Sequence, residues 1–78
     1  MTHELRFDVC RVEGVLVRLL GLSVRRGYEP VEVVALPAGD GVIAVRMRVE
    51  STRSVAGLVQ QLAKLHDVRQ IEVREVGA

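Results

Sequence analysis

Cysteine is nearly missing: the 78 residues include one, Cys10. A single thiol excludes an intramolecular disulfide and a cysteine-based zinc site, and it fits a reducing compartment. Aromatic side chains are as scarce, Phe7 and Tyr28 being the only two. A core built from this chain must therefore be aliphatic, dominated by valine and leucine. An excess of one charge is missing too. The 11 basic and 10 acidic side chains leave a formal +1, which gives no electrostatic case for nucleic acid or an anionic membrane surface. Apolar runs fall far short of the roughly 18 residues a membrane span needs, and the opening Met-Thr-His-Glu-Leu-Arg has no apolar leader segment. A soluble cytoplasmic protein is the expectation. The apolar share of 49% is too high for a disordered chain. The length suits one domain over residues 1–78 with a modest core.

What is present is a regular alternation of patterns. Residues 4–12 place Leu5, Phe7 and Val9 on one face and Arg6, Asp8 and Cys10 on the other, as a half-buried strand does. A helix follows from about Gly14 to Arg26, with Leu16, Leu19, Leu20 and Ser23 on one face. Glycine suits the turn at position 14 and the stop at position 27. Pro30 biases Glu29 towards extended backbone, so residues 31–36 read as a second strand. Val34 and Leu36 leave the second face of that strand unusually apolar, as though something covers it. Pro37 to Gly41 form a loop whose Asp-Gly pair favours a hairpin. Ile43, Val45, Met47 and Val49 alternate with Ala44, Arg46 and Arg48 in the clearest strand. Ser51-Thr52-Arg53-Ser54 offers N-cap oxygens to a second helix, whose stripe is Val55, Leu58, Val59, Leu62 and Leu65. After Asp67, residues 68–76 return as a last strand through Val68, Ile71 and Val73.

This βαββαβ order predicts an α+β, ferredoxin-like fold: a four-stranded antiparallel sheet with both helices on one face. Arg6, Asp8, Arg46, Arg48, Glu72 and Arg74 fall on the other face. Base stacking on that face needs aromatics from the first and third strands, and none is there. The lone Cys10 reads as a small filler on the sheet. His3 lies close enough to the N-terminus to fray, and His66 falls at the end of the second helix, where an imidazole complements the dipole. Arg25-Arg26 closes the first helix in the same way. No serine or cysteine has a histidine-and-carboxylate partnership, and the glycines form no Gly-x-Gly-x-x-Gly. The chain reads as a non-enzyme.

Two resemblances sharpen this. Cys10-Arg11-Val12-Glu13-Gly14-Val15-Leu16-Val17-Arg18 resembles the phosphate loop of acylphosphatases, with Arg18 at the phosphate-binding position. That family also needs a later asparagine to orient water, and this chain has no asparagine. The alternative is Arg18 as a solvated residue on the outer side of its helix. The broader resemblance, from Leu5 to about Val73, is to ACT domains, small modules that sense amino acids. It rests on Gly14-Val15-Leu16, the helix, and Arg25-Arg26-Gly27-Tyr28. Arg53-Ser54-Val55 and Gln61-Leu62-x-Lys64-Leu65-x-Asp67-Val68 are similar to the small regulatory subunit of acetolactate synthase, and the length is similar to its short, isozyme II type. The resemblance implies a subunit that activates a large catalytic subunit. Thiamine diphosphate, magnesium and FAD would belong to that partner, with no cofactor on this chain. A free-standing ACT module regulating another protein is the alternative.

In such a family the effector site would comprise Arg11, Glu13, Gly14, Val15, Leu16 and Glu29. Valine-sensitive relatives carry asparagine at the positions of Arg11 and Glu29 and a Pro-Gly turn at Glu13-Gly14. Gly14 and the helix start keep a backbone-amide seat for a ligand carboxylate, and Glu29 could pair with an ammonium. Glu13 would repel the carboxylate unless Arg11 offsets it, which implies weak or absent valine sensitivity. The plain alternative is that Glu13 and Glu29 are solvated. The resemblance also implies a homodimer through the second strand, with Val31, Val34 and Leu36 at the interface. The sequence leaves contact of Val34 and Leu36 with the large subunit equally open.

Overall fold

The computed structural model describes residues 2–76. The elements are β1 (Thr2–Cys10), α1 (Val15–Arg25), β2 (Glu29–Pro37), β3 (Val42–Glu50), α2 (Ala56–Ala63) and β4 (Val68–Val76). The sheet is antiparallel with strand order β2-β3-β1-β4, so β2 and β4 are its edges. The βαββαβ order and the four-stranded sheet match the expected ferredoxin-like fold. No helix among the described residues is long and apolar enough to cross a membrane.

Register explains the core. Leu5 lies opposite Met47 and Phe7 opposite Val45, which places four apolar side chains side by side on the helix-covered face. Leu19 from α1 and Leu58 and Leu62 from α2 press onto them, and all seven are buried. Ser23 joins this layer without penalty because its hydroxyl donates to the carbonyl of Leu19 at 2.9 Å. The last strand reaches the core by an irregularity. Val68 and Ile71 are three apart, which pure alternation would put on opposite faces. Gln70 takes φ +54 and the register against β1 shifts between Arg6 and Asp8, a bulge that turns both side chains inward.

α1 ends where the glycine pattern places it. Gly27 adopts φ +89. Its N–H donates to the Val24 carbonyl at 3.1 Å while that of Tyr28 donates to Ser23 at 3.0 Å, the paired bonds of a Schellman ending. Tyr28 is thereby turned into the core, and its hydroxyl donates to the Ser54 carbonyl at 2.6 Å, tying the start of β2 to the loop before α2.

Four local expectations need correction. The first strand lies two residues earlier than residues 4–12, because pairing with β3 runs to Thr2↔Glu50 while Val12 is exposed in the turn. His3 is therefore no frayed end; it pairs with Val49 and is 4% exposed. The N-cap of α2 is Val55, with no side-chain cap bond. The Ser51 hydroxyl accepts from Arg53 within the preceding turn, while that of Ser54 accepts from Ala56, the first residue of α2, so the expected oxygen reaches the helix start from one residue before the N-cap. His66 stands in an exposed turn beyond α2, which ends at Ala63.

Nδ1 of His3 is buried and has no hydrogen-bond partner among the described residues. A buried polar atom left unpaired costs about 1–3 kcal/mol. His3→Leu is accordingly expected to raise stability by about 1 kcal/mol, read as a higher urea midpoint. An unchanged or lower midpoint would show that the imidazole is satisfied in solution.

The open face of the sheet carries a charge lattice. Glu4, 5% exposed, accepts from Arg6 at 3.0 Å and from Arg48 at 3.3 Å. Arg48 and Arg46 also stand 3.5 and 3.7 Å from Glu32. Burial would raise the carboxyl of Glu4, but the hydrogen bonds and charges of Arg6 and Arg48 outweigh it and hold it below the ordinary value of 4.5. A carboxyl lowered by folding adds stability above its unfolded value and loses it as pH falls through the folded one. The wild type is thus expected to lose stability below about pH 4.5 more steeply than Glu4→Gln. Urea midpoints across the acid range check this, and parallel curves would exclude Glu4 as a source of acid sensitivity.

Candidate functional site

Gly14 makes the turn into α1 with φ +77 and ψ +5, a left-handed conformation that side-chain-bearing residues adopt at a cost. The turn is closed by backbone bonds: Arg11 N–H to the Gly41 carbonyl at 2.8 Å, Val15 to Val12 at 3.2 Å, and Arg18 to Gly14 at 3.0 Å. No side-chain hydrogen bond caps the start of α1 among the described residues. With the Val15 amide taken by Val12, the amides of Leu16 and Val17 are the ones left open to an anion.

Two shallow hollows flank this start. One, of about 200 Å³, is lined by Arg11, Leu16, Ala35, Pro37 and Ile43. The other, of about 190 Å³, is lined by Val12, Gly14, Val15, Leu16, Val17 and Ile43. They share Leu16 and Ile43, and together describe an apolar groove with one cation, Arg11, at its end. Of the six candidate effector residues, five gather here: Arg11, Gly14, Val15 and Leu16 line the groove, Val15 as its buried floor, and Glu13 is exposed beside Gly14 in the turn. Arg11 and Glu13 form no ion pair with each other. Glu29 is placed elsewhere. It opens β2 opposite Glu50, whereas Pro37, which lines the groove, closes the strand. Eight strand steps at about 3.3 Å put the two ends roughly 26 Å apart.

The edge beside the groove is apolar. Val31 and Leu36 on β2 are exposed, Leu36 by 60%, and Val34 is half-buried on the open face. The sequence reading missed its continuation on α1, where Val17 and Val24 are 75% and 61% exposed. Seven residues apart, they share one helix flank with half-buried Leu20. The signal was available: these positions form a second apolar stripe beside the core stripe, more than one sheet contact needs. Val33 adds a further exposed valine on β2.

Arg18 belongs to the other flank of α1. Its guanidinium is exposed, as expected of an outer residue, and also donates to Asp67 at 3.1 Å, which makes it an ion-pair partner of the α2–β4 turn.

Known proteins agree with this architecture. The ACT domain of GTP pyrophosphokinase from Chlorobium tepidum superposes with a TM-score of 0.78 at 16% identity, over 95% of this chain and 97% of that one. The C-terminal domain of the MgtC protein from Mycobacterium tuberculosis gives 0.70 at 16% identity, covering 94% and 84%. A formyltetrahydrofolate deformylase from Burkholderia mallei gives 0.73 at 15% identity, over 96% of this chain but 28% of the enzyme. At such identities the likeness carries the fold. No curated protein matches the sequence. The family model for the ACT domain matches residues 11–71, well over half of the 78. The chain belongs to the ACT domain family, a class of regulatory, amino-acid-sensing modules.

Proposed function

We propose that this chain is a non-catalytic regulatory subunit that binds and activates the large catalytic subunit of acetolactate synthase, with weak or no feedback by valine. The observation that carries the regulatory half is the first turn of α1. Its open amides suit a carboxylate, yet Glu13 stands at the turn with no ion pair to Arg11 to neutralise it. The partner half rests on the likeness of the second helix and its exit to that small subunit. Thiamine diphosphate, magnesium and FAD remain with the catalytic subunit in this reading.

A second copy completes the reading. Two β2 strands paired antiparallel about Val33, the middle of the nine-residue strand, would remove one open edge and cover the Val17–Val24 flank. Such pairing sets Glu29 of one copy beside Pro37 of the other, at the end of the groove that Arg11 lines. Val17→Glu with Val24→Glu changes side chains that are already exposed. It is expected to leave far-UV circular dichroism unchanged and convert dimers to monomers in sedimentation. A wild type that sediments as a monomer removes the pairing.

Acetolactate formation by the purified large subunit, with and without this chain and across a valine titration, tests the function. Activation that valine does not reverse supports the reading. Activation that valine abolishes keeps the partner and rejects the insensitive site. A second reading is a free-standing ACT sensor module regulating another protein, which membership of the family supports equally. Absence of both activation and co-purification would move the function there.

A further inference from the structure

A separate hollow lies on the far flank of α1, between its first turns and the α2–β4 turn. It has a volume of about 120 Å³. Val15, Leu65 and Val68 form its apolar lining, and Arg18, Lys64, His66 and Asp67 supply the polar groups. The α1/β2 groove shares only Val15 with it, because Leu16 and Arg18 point to opposite flanks of one helix.

The turn that frames this hollow is held by the backbone. Leu65 donates to Leu62 at 3.0 Å, Val68 to Leu65 at 3.2 Å, and Cys10 to the Asp67 carbonyl at 2.8 Å. The Asp67 carboxylate takes one N–H of Arg18 and so fixes the guanidinium, leaving its other donors available. Lys64 and His66 make no side-chain hydrogen bond or ion pair among the described residues. With Arg18 offset by Asp67, Lys64 contributes one unbalanced positive charge, and His66 adds a donor at the rim.

We propose that this hollow binds a small aliphatic monocarboxylate, its anionic head on Lys64 and Arg18 and its short branched chain on Val15, Leu65 and Val68. The balance of charge selects the class. One surplus cation suits a monoanion. A dianion such as phosphate would meet the Asp67 carboxylate in the same hollow and would waste the apolar lining. The site is independent of the acetolactate synthase reading, since it needs neither a second copy nor a catalytic partner.

The test is a nuclear magnetic resonance titration of the full chain with sodium isovalerate at constant ionic strength, alongside inorganic phosphate and the uncharged isovaleramide. Saturable shifts of the Arg18 and Lys64–Val68 amides with isovalerate are expected, with both controls much weaker. Lys64→Ala is expected to weaken binding about tenfold and Lys64→Arg to restore it, the scale of one charge-assisted hydrogen bond. Lys64 is exposed, so neither change threatens the fold. Phosphate or isovaleramide binding as tightly as isovalerate overturns the ligand class. Shifts confined to Arg11, Leu16 and Pro37, shifts unaffected by Lys64→Ala, or no saturable shift overturn the site.

Discussion

Leu58→Ala is expected to remove a large share of the stability of this domain, about 3–5 kcal/mol, the range for deleting a fully buried leucine. Leu58 is 0% exposed and belongs to one continuous cluster with Leu5, Met47 and Leu62. At roughly 0.05–0.15 kcal/mol per residue, a chain of 78 residues holds about 4–12 kcal/mol in total. The loss is large because α2 depends on tertiary contact. Its eight residues are too few for a helix to persist alone, and Leu58 and Leu62 are its two buried anchors. Urea unfolding followed by circular dichroism reads the effect, with half-buried Val59→Ala as a milder control. A midpoint shift for Leu58→Ala no larger than for Val59→Ala would mean that the core collapses around the missing side chain.

The second large effect is expected at Gly27. Replacement by valine forces a β-branched residue into φ +89, at a cost of about 2 kcal/mol. A Cβ there would also stand 3.2 Å from Nε of Arg53, a flexible exposed side chain that can yield, so backbone strain dominates. The damage reaches further than the turn, because Gly27 steers Tyr28 into the core and onto the Ser54 carbonyl. Thermal unfolding is expected to fall by about 10 °C. Gly21→Ala, in mid-helix with nothing within 4 Å of the added Cβ, is expected to shift it slightly upward. Equal melting temperatures for Gly27→Val and wild type would show that the Schellman ending is dispensable.

The two glycine positions are legible in the sequence because left-handed backbone has few other tenants. The faces of β1 and β3 were legible for a similar reason: period-two alternation of Leu5, Phe7 and Val9, or of Val45, Met47 and Val49, has one buried solution. Less legible was the last strand, where the bulge at Gln70 breaks the period and only pairing with β1 reveals it. The effector residues around Gly14 are contiguous in sequence and so stayed together in space. Glu29 is remote in sequence from that cluster, and β2 carries it to the other end of the sheet.

Local chemistry thus determined the element order, the α+β class and the aliphatic core, since each depends on periodicity and turn residues within a short window. The tertiary structure alone decided which charges meet. Glu4 looks like any strand-face carboxylate until β3 brings Arg48 within 3.3 Å and the lattice closes over it. Arg18 and Asp67 are 49 positions apart and form a pair only because α1 and the α2–β4 turn share one end of the sheet. The same holds for the exposed flank of Val17 and Val24, which becomes one surface with β2 only after the sheet has set the helix beside its edge. Side-chain pairing across long sequence separations follows strand order and register, and neither is encoded in any single segment.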